Sequence, residues 1–221
     1  ENVWITKKLK CMKSKFIAIE GNIGAGKTSL ANKIAKDYNS ELILESFSSN
    51  PFLPKFYKDP EKHAFSLELF FMSERYHQLK KTWSGDLFFS NKISDYFFMK
   101  SKIFAKTTLK DDELVLFDKL FEIMLSSLPY PDLLVYIHSD IKRLQENIHL
   151  RGRNFELNID DSYLEALQNN YFDYLKKQKK SPVLILDVTK VDFVNDNKVY
   201  EEIKNLISEE HKQGEVKKVI L

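Results

Sequence analysis

The sequence predicts an α/β domain in three layers: a five-stranded parallel sheet flanked by helices. Three observations carry this. The strand candidates are continuous apolar runs rather than alternating ones, so both faces of each strand are covered. Between successive runs lie segments whose apolar residues recur at helical spacing, as a parallel sheet with crossover helices requires. The first run ends in a glycine-rich turn that opens directly into a helix.

Phe16-Ile17-Ala18-Ile19 is the first buried strand, and Ser29 to Asp37 the first helix, with Leu30, Ile34 and Ala35 on one face. Leu42-Ile43-Leu44 is the second strand. Asn50 to Pro60 carries three prolines and reads as a loop. Ala64 to Lys81 is a long helix, apolar on most sides and therefore largely buried. Leu87 to Tyr96 contains the third strand. Asp111 to Ser127 is helical, with Leu114, Phe117, Leu120, Phe121 and Met124 in register. Leu133 to Ile137 is the fourth strand. Ser139 is the expected cap of a helix running to about Leu150, and Asp160 opens the next, with Tyr163, Leu167, Tyr171 and Tyr174 aligned. Val183 to Leu186 is the last expected strand and Val199 to Ile207 the last helix. This divides the chain into a linker-like arm over residues 1–14, one domain over 15–210, and a solvated tail over 211–221.

The 221 residues suit one domain with a sizeable core. The 34 basic residues nearly cancel the 32 acidic ones, which argues against nucleic acid as a partner. No apolar run approaches the ~18 residues of a membrane helix, and Glu1 to Lys15 lacks the apolar core of a signal peptide. Cys11 is the only cysteine, so no internal disulfide can form, and the expected compartment is the reducing cytoplasm. The five histidines show no metal-ligand spacing.

Gly21-Asn22-Ile23-Gly24-Ala25-Gly26-Lys27-Thr28 fits G-x-x-x-x-G-K-[ST] between a strand and a helix, the context that gives the motif meaning. The glycines let the backbone fold into a nest of N–H groups around an anion. The following helix, including Ser29, aims its positive dipole end at the same anion. Lys27 reaches the outer phosphates, and the Thr28 hydroxyl binds Mg²⁺. Three of the chain's six glycines lie in this loop. The loop predicts ATP or GTP.

Three blocks of the sequence together resemble the deoxynucleoside kinases (deoxyadenosine, deoxyguanosine and deoxycytidine kinases). They are Ile19-Glu20 with the loop that follows; Tyr57-Lys58-Asp59-Pro60-Glu61 leading into the long helix; and Arg151-Gly152-Arg153-Asn154-Phe155-Glu156 followed by Tyr163-Leu164-Glu165-Ala166-Leu167. Their order and spacing match from about Lys15 to Ile207. The resemblance implies a P-loop kinase fold with a short Arg-containing lid. It implies transfer of the ATP γ-phosphate to the 5′-hydroxyl of a deoxynucleoside, in nucleotide salvage, and a homodimer formed through helices beside the sheet, including the one matching Ala64 to Lys81.

Glu45 ends the second strand, and ligands gather at the carboxyl ends of strands in an open parallel sheet. The resemblance makes it the general base, although Ser46 follows it where relatives have Pro. Glu68 and Arg75, seven residues apart on the buried helix, share a face about 10 Å apart along the axis. The resemblance places base recognition there, with Gln usual at the position of Glu68. An ionised glutamate accepts hydrogen bonds and cannot donate, which suits the two adjacent N–H donors of guanine. A purine substrate is therefore expected. Tyr57, eleven residues before Glu68, is in the family spacing for a contact to the sugar 3′-hydroxyl, with Glu156 as its partner. Arg151 and Arg153 flank Gly152 and match the lid that closes over the phosphates. Asp95 ends the third strand, where a carboxylate holds Mg²⁺ through water. Tyr96 follows it where the family pattern has Arg, and Lys100, one helical turn on, is the substitute cation. Asp192 and Phe193 stand where related kinases hold the adenine of ATP. Two other readings share the loop: a thymidylate-like nucleoside monophosphate kinase, and a non-catalytic nucleotide-binding subunit of the kind found in respiratory complex I.

Overall fold

The computed structural model describes residues 13–46, 50–85 and 89–221. Cys11 and nearly all of the expected N-terminal arm lie outside them. In chain order the elements are β1 (Phe16–Gly21), α1 (Lys27–Tyr38), β2 (Glu41–Ile43), α2 (Leu53–Phe56), α3 (Pro60–Gly85), β3 (Lys92–Ser94) and α4 (Met99–Thr108). After these come α5 (Asp111–Leu125), β4 (Leu133–His138), α6 (Ile141–Arg151), α7 (Asp161–Lys177), β5 (Val183–Asp187), α8 (Asn197–Ser208) and β6 (Val216–Ile220).

The strands form one sheet in the order β2-β3-β1-β4-β5-β6, with every pairing parallel. The continuous apolar runs resolve into two cores. Phe16 and Ala18 of β1 face one cluster, filled by α3, α4, α5 and α7. Ile17 and Ile19 face the other, filled by α1, α6 and α8. Successive side chains point to opposite faces, so a strand covered on both must be apolar throughout. β1 lies between β3 and β4, and all the carboxyl ends open onto one edge of the molecule.

Five expectations are corrected. The sheet has six strands, because residues expected as a solvated tail form β6, paired with β5 from Val183↔Val216 to Asp187↔Ile220. An edge strand is held by its backbone and tolerates exposed lysines, which also blunt its free edge. Lys217 pairs with Glu209 at 2.5 Å and Lys218 with Asp187 at 3.4 Å. The proline-rich loop contains the short helix α2, with Pro54 in its first turn, where proline's missing N–H costs nothing. Helix α4 was not expected; two of its inward residues, Lys100 and Ser101, are polar and hide its period. Asp140, not Ser139, caps α6: its carboxylate accepts from the Arg143 amide at 2.7 Å. Ser139 is buried and lines the cleft.

Candidate active site

A cleft of about 540 Å³ opens at the carboxyl ends of the strands. The loop after β1 forms its floor. Gly24 and Gly26 adopt φ of +81° and +88°, a region that disfavours any side chain. A Cβ on Gly26 would also lie 2.8 Å from the Phe193 ring. The loop is braced from outside by Asn147, whose amide donates to the Gly24 carbonyl at 2.9 Å. Asn22 braces it from below: its side chain accepts from the Ile23 amide and donates to the Leu164 carbonyl. Gly21 and Asn22 thus shape the loop, while Ile23, Gly24, Ala25, Gly26, Lys27, Thr28 and Ser29 face the cleft.

Lys27 donates to the Asn22 carbonyl at 2.8 Å. Burial first, and then the Lys100 ammonium, push its pKa down to about 8. Thr28 Oγ1 donates to Asp95 Oδ2 at 2.6 Å, and the other Asp95 oxygen accepts from the Glu45 amide at 2.8 Å. The start of α1 is therefore tied to the ends of β2 and β3 through one carboxylate. A hydroxyl and a carboxylate in contact beside a phosphate nest fit Mg²⁺, which takes few protein ligands and completes its shell with phosphate and water. Among the described residues no cluster of three or more His, Cys, Asp or Glu offers a fully protein-made metal site.

Glu45 is gripped by two cations. Arg75 approaches Oε1 at 2.7 Å and Lys100 Nζ lies 2.5 Å from Oε2. Burial opposes ionisation, yet Lys100 and Arg75 hold the carboxyl well below the usual carboxylate range. Arg75 also donates to Ser101 Oγ at 2.8 Å. Seven residues back along α3, Glu68 is 1% exposed. Its Oε1 accepts from Thr108 at 3.2 Å, and its Oε2 has no hydrogen-bond partner among the described residues. Burial pushes its pKa up to about 7, against the pull of Arg75. Leu67, Phe71 and Phe104 supply apolar walls.

At the other rim, Arg151 and Arg153 both pair with the buried Glu156, Arg153 at 3.1 Å. The turn is made by Gly152 at φ +67°, the C-cap of α6. Tyr57 lies outside the cleft lining; it stacks on Phe155, with centroids 5.9 Å apart, next to Glu156. Asp192 caps the following turn through the Val194 and Asn195 amides, and Lys33 fixes the Phe193 carbonyl at 3.2 Å.

The structure thus brings the expected residues of the loop, Glu45, Glu68, Arg75, Asp95, Arg151, Arg153, Glu156, Asp192 and Phe193 around one cleft. Tyr96 does not face it. Its ring is buried and its hydroxyl donates to Gln78 at 2.7 Å, while Gln78 donates to the Leu44 carbonyl. The contact between Lys100 and Glu45 depends on how α4 packs against α3, which no spacing in the sequence reveals.

The family model for deoxynucleoside kinases matches residues 17–212. A deoxyguanosine kinase of Bacillus subtilis (strain 168) is 38% identical over 88% of this chain and 96% of its own length. The deoxyadenosine/deoxycytidine kinase of the same organism is 31% identical over 89% of this chain and 93% of its own. Among solved structures, a deoxyadenosine kinase from M. mycoides with bound dATP superposes with a TM-score of 0.77 at 25% identity, over 88% of this chain and all of that one. The chain belongs to the deoxynucleoside kinase family. It is an ATP-dependent phosphotransferase that acts on a nucleoside hydroxyl.

Proposed function

We propose that the preferred acceptor is a purine deoxynucleoside, deoxyguanosine above the others, phosphorylated on its 5′-hydroxyl by the γ-phosphate of ATP. The single observation that carries the base preference is Glu68. It is a buried carboxyl group lining the cleft, with one oxygen unpartnered among the described residues. A buried acceptor-only group is costly unless a donor reaches it, and guanine offers N1–H and N2–H side by side.

The other groups take these parts. Glu45 stands at the acceptor end as the general base, its two oxygens fixed by Arg75 and Lys100. Glu156 holds the sugar 3′-hydroxyl, and Tyr57, stacked on Phe155 beside it, supports that end of the cleft. Lys27 and the amides of the loop hold the outer phosphates, and Arg151 and Arg153 close over the transferring group and exclude water. Asp192 and Phe193 border the adenine of ATP. Thr28 and Asp95 are the residues that would hold Mg²⁺, which would screen the phosphate charge. Most of the acceleration comes from alignment and charge stabilisation, because phosphoryl transfer demands little covalent chemistry of the protein.

Action as a homodimer in the cytoplasm, on a small molecule and apart from membranes and nucleic acids, completes the proposal. Val115, Leu116 and Ile123 form an exposed apolar face on α5 that supports the dimer. No helix among the described residues is long and apolar enough to cross a membrane.

The test is ATP consumption with each of the four deoxynucleosides and each monophosphate. Deoxyguanosine should give the highest kcat/KM. A clear pyrimidine preference would sink the purine assignment, and turnover with monophosphates alone would return the thymidylate-like reading.

A further inference from the structure

We propose that Lys100 is a positioning residue for phosphoryl transfer, clamping Oε2 of Glu45 so that, with Arg75 on Oε1, the carboxylate is locked in one orientation at the acceptor end of the cleft. The inference rests on the reading of Glu45 as the general base.

Lys100 is 6% exposed, lies in the first turn of α4 and lines the cleft. Burying a lysine among apolar helices is expensive unless its charge is matched. Here the match is Glu45, at 2.5 Å. The neighbouring residues of α4 divide the remaining work. Ser101 accepts from Arg75, the other clamp, so one helical turn sets both cations. The Phe104 ring lies 5.4 Å from the Lys100 ammonium and shields it on the apolar side.

Tyr96 cannot share this task. Its hydroxyl is committed to Gln78, and its ring is fully buried. Strand β3 therefore delivers Asp95 to Thr28 but sends no cation into the site, and α4 supplies the missing charge.

A carboxylate held by one cation alone can rotate about its last torsion, which is broad and soft for glutamate. A second cation on the other oxygen removes that freedom. A hydroxyl proton must meet an oxygen within hydrogen-bond reach, and small misplacements cost about 100-fold in rate. The charges facing Glu45 are Arg75 and Glu68 from α3, Lys100 from α4, Asp95 after β3 and Lys27 of α1, and Glu20 of β1 faces Lys100 and Lys27. Of these, Lys100 and Arg75 touch the carboxylate.

The experiment compares Lys100→Met, Lys100→Gln and Lys100→Arg with the wild type, each with a thermal melt. For Lys100→Met the expected result is a kcat about 100-fold lower, with KM for ATP changed far less. Lys100→Arg should recover most of the rate. Should Lys100→Met fail to fold, Lys100→Gln keeps a donor of similar length without the charge, and it should show the same loss. Two results overturn the proposal: a folded Lys100→Met or Lys100→Gln enzyme with near-wild-type kcat, or a loss of rate that Lys100→Arg does not rescue. Wild-type turnover, measured alongside, separates this outcome from failure of the kinase mechanism itself.

Discussion

Glu45 and Glu68 stand on one cleft wall, and their neighbours drive them in opposite directions. Two touching cations keep Glu45 ionised, whereas Glu68 has only a threonine hydroxyl on one oxygen. With its pKa pushed to about 7, Glu68 changes charge within the working range. Ionised, it can only accept, as the N1–H and N2–H of guanine require. Protonated, it both accepts and donates, as the N6–H and N1 of adenine require. The ratio of kcat/KM for deoxyguanosine over deoxyadenosine should therefore climb as pH rises from 6 to 8, and Glu68→Gln should flatten it. Competition assays across that range decide the point; a ratio insensitive to pH in the wild type would count against the role. The same shift has a consequence for stability. A carboxyl raised from an ordinary 4.5 to about 7 keeps in the folded state a proton that the unfolded chain releases. Its contribution is intact below 4.5 and is lost as pH rises through about 7. Glu68→Gln should raise Tm at pH 8 more than at pH 5.

The site's separate pieces are legible in the sequence where chemistry fixes the residue type in place. An anion nest needs glycines and a helix start, so the loop from Gly21 to Thr28 shows its role without a structure. Glu45 and Asp95 are legible because strand ends in a parallel sheet converge. Helix α4 is not, since Lys100 and Ser101 turn inward and break the apolar period that would reveal it. Strand β6 is hidden for the opposite reason: its side chains are exposed or half-buried, two of the five are lysines, and its backbone pairing with β5 leaves no apolar run. Capping errs by one residue, because Ser139 and Asp140 are both good caps and only the geometry selects the aspartate. Asp140→Ala should cost about 1 kcal/mol in denaturant unfolding, whereas Ser139→Ala should leave the α6 cap intact. The loop itself should tolerate nothing larger than glycine at position 26. Gly26→Ala meets both a left-handed backbone and the Phe193 ring, so KM for ATP should rise at least tenfold, about 1.4 kcal/mol. Phe193→Ala in that background relieves the clash but not the backbone strain, and should restore affinity only in part.

At the scale of the whole molecule, the two cores are unequally covered. The α1, α6 and α8 side leaves Leu150 exposed, and that residue lines the cleft. On the other side, α5 leaves Val115, Leu116 and Ile123 at 54%, 49% and 70% exposure, with partly buried Phe65, Leu69 and Phe70 on the adjoining α3. That face lies apart from the cleft, whose lining includes no α5 residue. Leu116→Glu with Ile123→Glu should shift sedimentation from dimer to monomer. A wild type that already sediments as a monomer would remove the dimer from the proposal.

The packing of Phe193 on Gly26 has one more consequence. The segment after β5 and the loop after β1 belong to different parts of the chain, yet an aromatic ring wedged on a glycine leaves no slack between them. If one borders the donor's base and the other cradles its phosphates, the distance between the two is a fixed gauge. The enzyme then measures its donor end to end. A nucleotide with a shorter or longer phosphate chain presents its terminal phosphorus out of step with Glu45, however well its base is seated.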